Sequence, residues 1–242
     1  MNQNNELGKA VAAALEVEPR VDLHRNPIEI RVDGGEVTLS GLVEDVAAWR
    51  RALLAASRVP GVEVVHDRLC VKPVQEMGDG EIADHLRDAL YEEPAFCEYD
   101  LNVIDPRTGE AKPVRHLGPA ARGTITASVS AAAVTLRGEV QSLSHRRLAG
   151  VLAWWVPGVC AVSNELVVEP PEEDSDEEIR DAVRLVLEKN RFVDVTGIRV
   201  ACRDGVVTLS GTVPNAGQAR LAENDAWYVA GVVDVVNELV AP

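Results

Sequence analysis

Aromatic side chains are scarce, with two Phe, three Tyr and four Trp making up only 4% of the 242 residues. A core must therefore be built from Val, Leu, Ile and Ala, which suits small sheets covered by helices with Ala-lined faces. Basic residues are short as well: 24 Lys and Arg stand against 39 Asp and Glu, for a net charge of -15. The deficit runs along the whole chain, with 9 basic against 11 acidic residues in 1–73, 8 against 14 in 74–170, and 7 against 14 in 171–242. A nucleic-acid ligand needs Lys and Arg to displace counterions, and an anionic bilayer attracts protein through the same residues. Nucleic acid is excluded as a partner, and phospholipid, though admitted as a ligand class, is opposed by the overall field.

Long apolar runs are missing too. The longest, Leu148 to Val156, is stopped by Pro157 well short of the ~20 residues a spanning helix requires. The opening Met1-Asn2-Gln3-Asn4-Asn5-Glu6 has no basic region, and Ala10 to Leu15 is too short for a signal peptide, so a cytoplasmic location is expected. Cys70, Cys97, Cys160 and Cys202 form no C-x-x-C pair and are expected to be reduced, with Cys70 and Cys202 replacing small apolar residues. His24, His66, His85, His116 and His145 occur singly, without the spacing of a metal site, and no G-x-S-x-G elbow appears. No metal, cofactor or enzymatic activity is expected.

What is abundant is repetition. Val37-Thr38-Leu39-Ser40-Gly41 returns as Val134-Thr135-Leu136-Arg137-Gly138 and as Val207-Thr208-Leu209-Ser210-Gly211, each followed at a fixed distance by Gly61-Val62, Gly158-Val159 or Gly231-Val232. Such self-similarity means three copies of one small unit. Each copy opens with an amphipathic helix: Leu7, Val11, Ala14 and Leu15 recur as Ile82, Leu86, Ala89 and Leu90, and as Ile179, Val183, Val186 and Leu187. Ser175-Asp176-Glu177-Glu178 is a capping-box pattern at the start of the third such helix.

Two alternating strands across a short turn follow, as in Ile28, Ile30, Val32, then Gly34-Gly35, then Val37 and Leu39. In the second copy Ala131-Ala132 takes the turn, and the Gly of each Thr-Leu-x-Gly is read as ending the strand. A second helix then presents Ala52 and Ala56, Ala149 and Ala153, or Ala222 and Ala226, so that it can lie close to the sheet. The expected class is α+β: three tandem αββαβ domains at 1–73, 74–170 and 171–242, each a three-stranded mixed sheet with two helices on one face.

The symmetry breaks once. Leu7 and Ile82 are 75 residues apart while Gly41 and Gly138 are 97 apart, so the second copy carries 22 extra residues, placed at about 97–123. Alternation at Tyr99, Leu101 and Val103, a turn at Asp105-Pro106-Arg107-Thr108-Gly109, and a return through Val114 to Leu117 predict a protruding hairpin. Shortening 98–122 to the third copy's length is expected to leave stability nearly unchanged.

The initial helix, Asp204-Gly205-Val206-Val207-Thr208-Leu209-Ser210-Gly211-Thr212-Val213, the Ala-faced helix and the closing Asn237-Glu238-Leu239 together resemble the BON domain of bacterial osmotically inducible and nodulation proteins. The second copy keeps Ser163-Asn164-Glu165-Leu166, while the first ends more loosely as His66-Asp67-Arg68-Leu69. The resemblance implies the αββαβ fold and non-enzymatic roles: phospholipid or envelope association, stress response, chaperoning, or potassium binding.

Two surfaces stand out as candidate contacts. Trp154-Trp155 aligns with Trp227-Tyr228, and neighbouring helical residues point about 100° apart, so both members of a pair cannot enter one narrow core stripe. They pack against a neighbouring repeat or meet lipid, peptide or another subunit. The insertion gathers Arg107, Lys112, Arg115 and Arg122 beside His116, facing only Glu110 within 107–122, as a solvated or a binding loop. The expected function is a non-enzymatic binding or scaffold protein in a bacterial stress or envelope role, with a protein partner or self-association. The alternatives are a cytosolic small-ligand or potassium sensor and a phospholipid-associated membrane-stability protein.

Overall fold

A computed structural model describes residues 2–241 and divides into two compact units, 1–72 and 73–242. The first unit runs α1 (Asn2–Glu16), β1 (Ile28–Asp33), β2 (Glu36–Val43), α2 (Val46–Ser57) and β3 (Val64–Val71). Its sheet has the order β1-β2-β3, antiparallel between β1 and β2 and parallel between β2 and β3, as a helical crossover before the last strand permits. Val11, Leu15, Val37, Leu39, Ala52, Ala56 and Leu69 fill the core between the helices and one sheet face. The other face carries Glu29, Arg31, Thr38, Ser40 and His66, none of them buried.

The second unit contains two such repeats. The first is α3 (Asp79–Glu92), β4 (Asp100–Ile104), β5 (Ala111–Arg115), β6 (Thr124–Ser130), β7 (Ala133–Val140), α4 (Leu143–Trp154) and β8 (Ala161–Val168). The second is α5 (Asp176–Lys189), β9 (Ile198–Arg203), β10 (Val206–Thr212), α6 (Ala216–Tyr228) and β11 (Asp234–Val240). The last sheet repeats the three-stranded order as β9-β10-β11, whereas the middle one has five strands in the order β5-β4-β6-β7-β8. The extra residues do fold as a hairpin, but it does not protrude. β4 adds to the free edge of β6 in parallel, with Leu101 opposite Ile125 and Val103 opposite Ala127. Phe96, Tyr99, Leu101 and Val103 are all buried, so the alternation at 99, 101 and 103 is a core-facing pattern.

Local chemistry explains the repetition. Asp45, Ser142 and Asn215 stand at equivalent places as N-caps of α2, α4 and α6, accepting from the backbone N–H of Ala48, His145 and Gln218 at 2.8, 3.1 and 3.0 Å. Ser175 accepts from Glu178 N–H at 3.2 Å, as its capping pattern requires. Gly138 and Gly211 do not end their strands as expected: each lies inside one, at φ 128° and 119°. A Cβ there would meet the Thr124 or Gly197 carbonyl oxygen, so close backbone approach as well as positive φ demands glycine.

The closing Asn of the repeat also acquires a reason. Asn164 donates to the Arg146 carbonyl of α4 at 2.6 Å, and Asn237 donates to the Ala219 carbonyl of α6 at 3.0 Å while accepting from Leu239 N–H at 3.1 Å. Each Asn ties the last strand to the second helix. Asp67 in the first unit cannot donate when ionised, and it accepts from the Trp49 indole at 2.8 Å instead. Burial pushes its carboxyl above the usual range.

The turn between β6 and β7 places Ala131 and Ala132 at φ 51° and 61°, where a Cβ costs about 1–2 kcal/mol per residue. The Asp79 carboxylate holds it by accepting from both N–H groups at 2.9 and 2.8 Å, as Asp176 does for Asp204 and Gly205 at 2.7 and 2.9 Å. Replacing the pair by Ala131→Asn with Ala132→Gly should stabilise the chain by about 1 kcal/mol, or roughly 2–4 °C in a thermal melt. An unchanged or lower melting temperature would mean that the alanines carry no strain.

Candidate functional site

The strongest concentration of polar chemistry in the second unit lies around α4. This helix buries Leu148, Ala149, Gly150, Val151, Leu152, Ala153 and Trp154, nearly its whole circumference, because it packs on β7 and β8 and also on α5 and α6. The apolar run Leu148 to Val156 is thus a helix shared by two repeats. Burying it on two sides is what joins them.

The expected aromatic surface lies at this joint. Trp154 stacks on Tyr228, with ring centroids 6.0 Å apart and planes inclined by 16°. Trp154 and Trp227 are buried, whereas Trp155 and Tyr228 are half-buried. Trp155 donates its indole N–H to Asp225 at 3.0 Å, and Asn190 donates its amide to the other oxygen of the same carboxylate at 2.7 Å. Asp225 is only 2% exposed, and burial pushes its carboxyl up to about 6. Trp154, Trp155 and Tyr228 therefore make contacts from repeat to repeat, while Trp227 is buried.

Arg147 crosses the same joint. It is 3% exposed and donates through Nε to the Ala230 carbonyl at 2.9 Å and through Nη2 to Asp174 at 2.5 Å. Lys189 meets the buried Glu93 at 2.7 Å, and Glu172 accepts from Leu143 N–H at 2.7 Å. Chemically, this is a set of charge-assisted hydrogen bonds that fixes geometry, since each carboxylate or cation is committed to a structural partner. Signals for it were present in the sequence. Arg recurs at the same place in all three second helices, as Arg50, Arg147 and Arg220, and Asp225 stands where the other copies have Ala55 and Leu152.

The basic residues of the insertion are drawn into the hairpin. Lys112 pairs with Asp105 at 2.5 Å, Arg122 with Glu98 at 2.9 Å, and His116 lies 3.5 Å from Asp100. Lys112 holds the Asp105 carboxyl below its ordinary range. Arg115 donates to the Phe96 and Tyr91 carbonyls at 2.6 and 2.8 Å and lies over the Tyr91 ring. Arg107 sits in the hairpin turn, where its backbone N–H donates to Asp105 at 2.8 Å. Residues 98–122 hold four acidic and four basic side chains, so the segment is close to neutral. The cationic cluster seen in 107–122 disappears once Glu98, Asp100 and Asp105 fold back across it.

An aromatic contact anchors this hairpin to α4. His145 lies 6.0 Å from Phe96 and 5.4 Å from Tyr99, and the Tyr99 hydroxyl accepts from Gln141 N–H at 3.1 Å. Burial holds the His145 imidazole below its ordinary value and raises the Tyr99 phenol. Cys97 and Cys202 are free thiols, while Cys70 and Cys160 are not, which corrects the expectation of four reduced cysteines. Among the described residues no group of three or more His, Cys, Asp or Glu could hold a metal ion, and no helix is long and apolar enough to cross a membrane.

The αββαβ unit written three times defines a tandem-repeat protein of small α+β modules. The chain belongs to the BON domain family, whose model matches residues 3–73, 116–170 and 175–241. The second match begins at His116, so α3 and most of the inserted hairpin lie outside it. Over 112 residues, 44% of its length, the chain is 36% identical to osmotically-inducible protein Y of Escherichia coli (strain K12). It spans about half, 56%, of the length of that relative. Among solved structures it aligns with CdsD, a structural protein of the type III secretion system of Chlamydia trachomatis. That alignment has 14% identity and a TM-score of 0.25, over 98% of this chain and 92% of that one. The C-terminal domain of CdsD aligns at the same identity and TM-score, over 98% of each chain. Similarity this low carries no argument.

Proposed function

We propose that this chain is a non-enzymatic binding and scaffold protein serving a bacterial osmotic or envelope stress response, with another protein as its partner. Membership of the BON family and the 36% identity to an osmotically inducible relative support the stress role. The observation that carries the scaffold reading is α4, which two repeats share as a common core helix. A joint of that kind holds two sheets rigidly in one unit and leaves their second faces, lined by Thr, Ser and charged residues, open to solvent. Rigid presentation of two modules favours multivalent binding, because the second contact becomes intramolecular. Phospholipid is the weaker partner in this reading, since three of the insertion's basic side chains, Lys112, Arg115 and Arg122, are spent on internal carboxylates and carbonyls.

The test is survival after hyperosmotic shock in a strain lacking the gene, with chemical crosslinking of the complemented strain. Reduced survival, restored by the wild-type chain and accompanied by a protein crosslinked to it, is expected. Unchanged survival with no protein adduct would overturn the reading.

A further inference from the structure

The middle sheet shows what its sisters lack. Along β6 the core-side residues Ile125, Ala127 and Val129 are buried, and β4 lies against the strand's outer edge beside the first two. The equivalent row on β9, Ile198, Val200 and Cys202, remains half-exposed, and β9 is an edge strand with no neighbour beyond it. β6 and β9 are matched residue for residue, since Ile125 pairs with Gly138 exactly as Ile198 pairs with Gly211. The same edge of the same fold has therefore accepted a parallel strand once, within this chain. Where it did, a row of apolar side chains left the solvent.

We propose that the β9 edge is a binding site for an extended peptide of a partner protein, which adds in parallel to β9 as β4 adds to β6. The register of β4 on β6 sets the required pattern. Leu101 and Val103 stand beside Ile125 and Ala127 on the core side, and Asp100 and Asn102 stand beside Thr124 and Thr126 on the open side. Transferred to β9, this register puts aliphatic residues of the peptide beside Ile198 and Val200, and a longer peptide that continues in the same register puts another beside Cys202. The alternate residues fall beside Arg199, Ala201 and Arg203.

Charge makes the choice of peptide. Arg199 and Arg203 are exposed and neither forms a salt bridge among the described residues, although Arg203 lies near enough to Asp176 to help hold that carboxyl below its ordinary range. The partner segment is therefore acidic beside Arg199 and Arg203 and aliphatic beside Ile198, Val200 and Cys202. Main-chain hydrogen bonds supply affinity in such an addition and the alternate side chains supply specificity. Exposed edges that are neither charged over nor covered are the natural templates for it. The edge strand β1 offers no such selection, since Arg31 is already paired with Glu29 at 2.9 Å. The site rests on the reading of the chain as a protein-binding module and specifies the class of segment it holds.

The probe is the capped peptide Thr-Leu-Glu-Val-Thr-Val-Glu, titrated into the isotopically labelled full chain and followed by amide NMR shifts. Saturable shifts confined to Ile198–Arg203 and neighbouring β10 are expected, with at least fivefold weaker binding of a peptide carrying Lys for both Glu. In the Arg199→Glu/Arg203→Glu variant the preference should reverse, and the exposed positions make this variant easy to verify as folded from its peptide-free spectrum. No saturable shift, shifts on β1 or the open sheet face, or an unchanged preference in the variant would each overturn the proposal. The titration needs no cellular partner, so its failure leaves the osmotic-survival result untouched.

Discussion

Shortening 98–122 to the length of the equivalent connection before β9 is expected to destabilise the 73–242 unit severely. The hairpin contributes Tyr99, Leu101 and Val103 to the core and covers the edge of β6 beside Ile125 and Ala127, so its loss uncovers these two as well. A single buried leucine truncated to alanine costs about 2–5 kcal/mol. Leu101→Ala alone should therefore lower the melting temperature by roughly 5–15 °C, at about 2–4 °C per kcal/mol for a unit of this size. The shortened chain should fall further or fail to fold. The milder Leu101→Ala variant keeps the measurement interpretable in that event. A melt that moves by less than 2 °C in both variants would show that the middle sheet needs only three strands.

That expectation reverses the one the sequence suggests, and the reason is instructive. Val37, Leu39, Val134, Leu136, Val207 and Leu209 are buried as their period-two spacing demands, and the recurring Ala positions face the sheets. Local patterning made these legible because each contact repeats within one module. The hairpin's alternation at Tyr99, Leu101 and Val103 was equally visible, but alternation reports only that one face is covered and does not say by what. Reading it as a projection left three large apolar residues with no place to go. Charge misled in a similar way: a window over 107–122 counted cations, while the acids that neutralise them sit at 98, 100 and 105, across a turn. Contacts between repeats were the least legible. Trp154 stacking on Tyr228 joins positions far apart in sequence, and only the placement of α4 between two sheets brings them together.

The joint between repeats should make stability depend on pH with an unusual sign. Burial holds the Asp225 carboxyl at about 6 in the folded chain, whereas in the unfolded chain it returns to about 3.9. Between those two values the native state binds the proton more strongly, so the contribution of Asp225 is largest below about pH 4 and declines as pH rises towards 6. The decline amounts to as much as about 3 kcal/mol, since each pKa unit is worth 1.36 kcal/mol. Exposed carboxylates with lowered values, such as Asp176 held by the Asp204 and Gly205 N–H groups, act in the opposite direction and lose their contribution on acidification. Subtracting them requires a partner that does not titrate. Asp225→Asn supplies it: the amide oxygen can still accept from one of the two donors, Trp155 or Asn190, so its cost is a constant offset. Denaturant unfolding of wild type and Asp225→Asn at intervals from pH 4 to 7 should give curves that are not parallel, with the wild type losing about 2–3 kcal/mol relative to the variant as pH rises. Asp225→Ala should be destabilised at every pH, by about 1–3 kcal/mol for each buried donor it strands. Parallel curves for wild type and Asp225→Asn would mean that the carboxylate titrates normally, and that water reaches a joint which the packing of α4, α5 and α6 shows as closed.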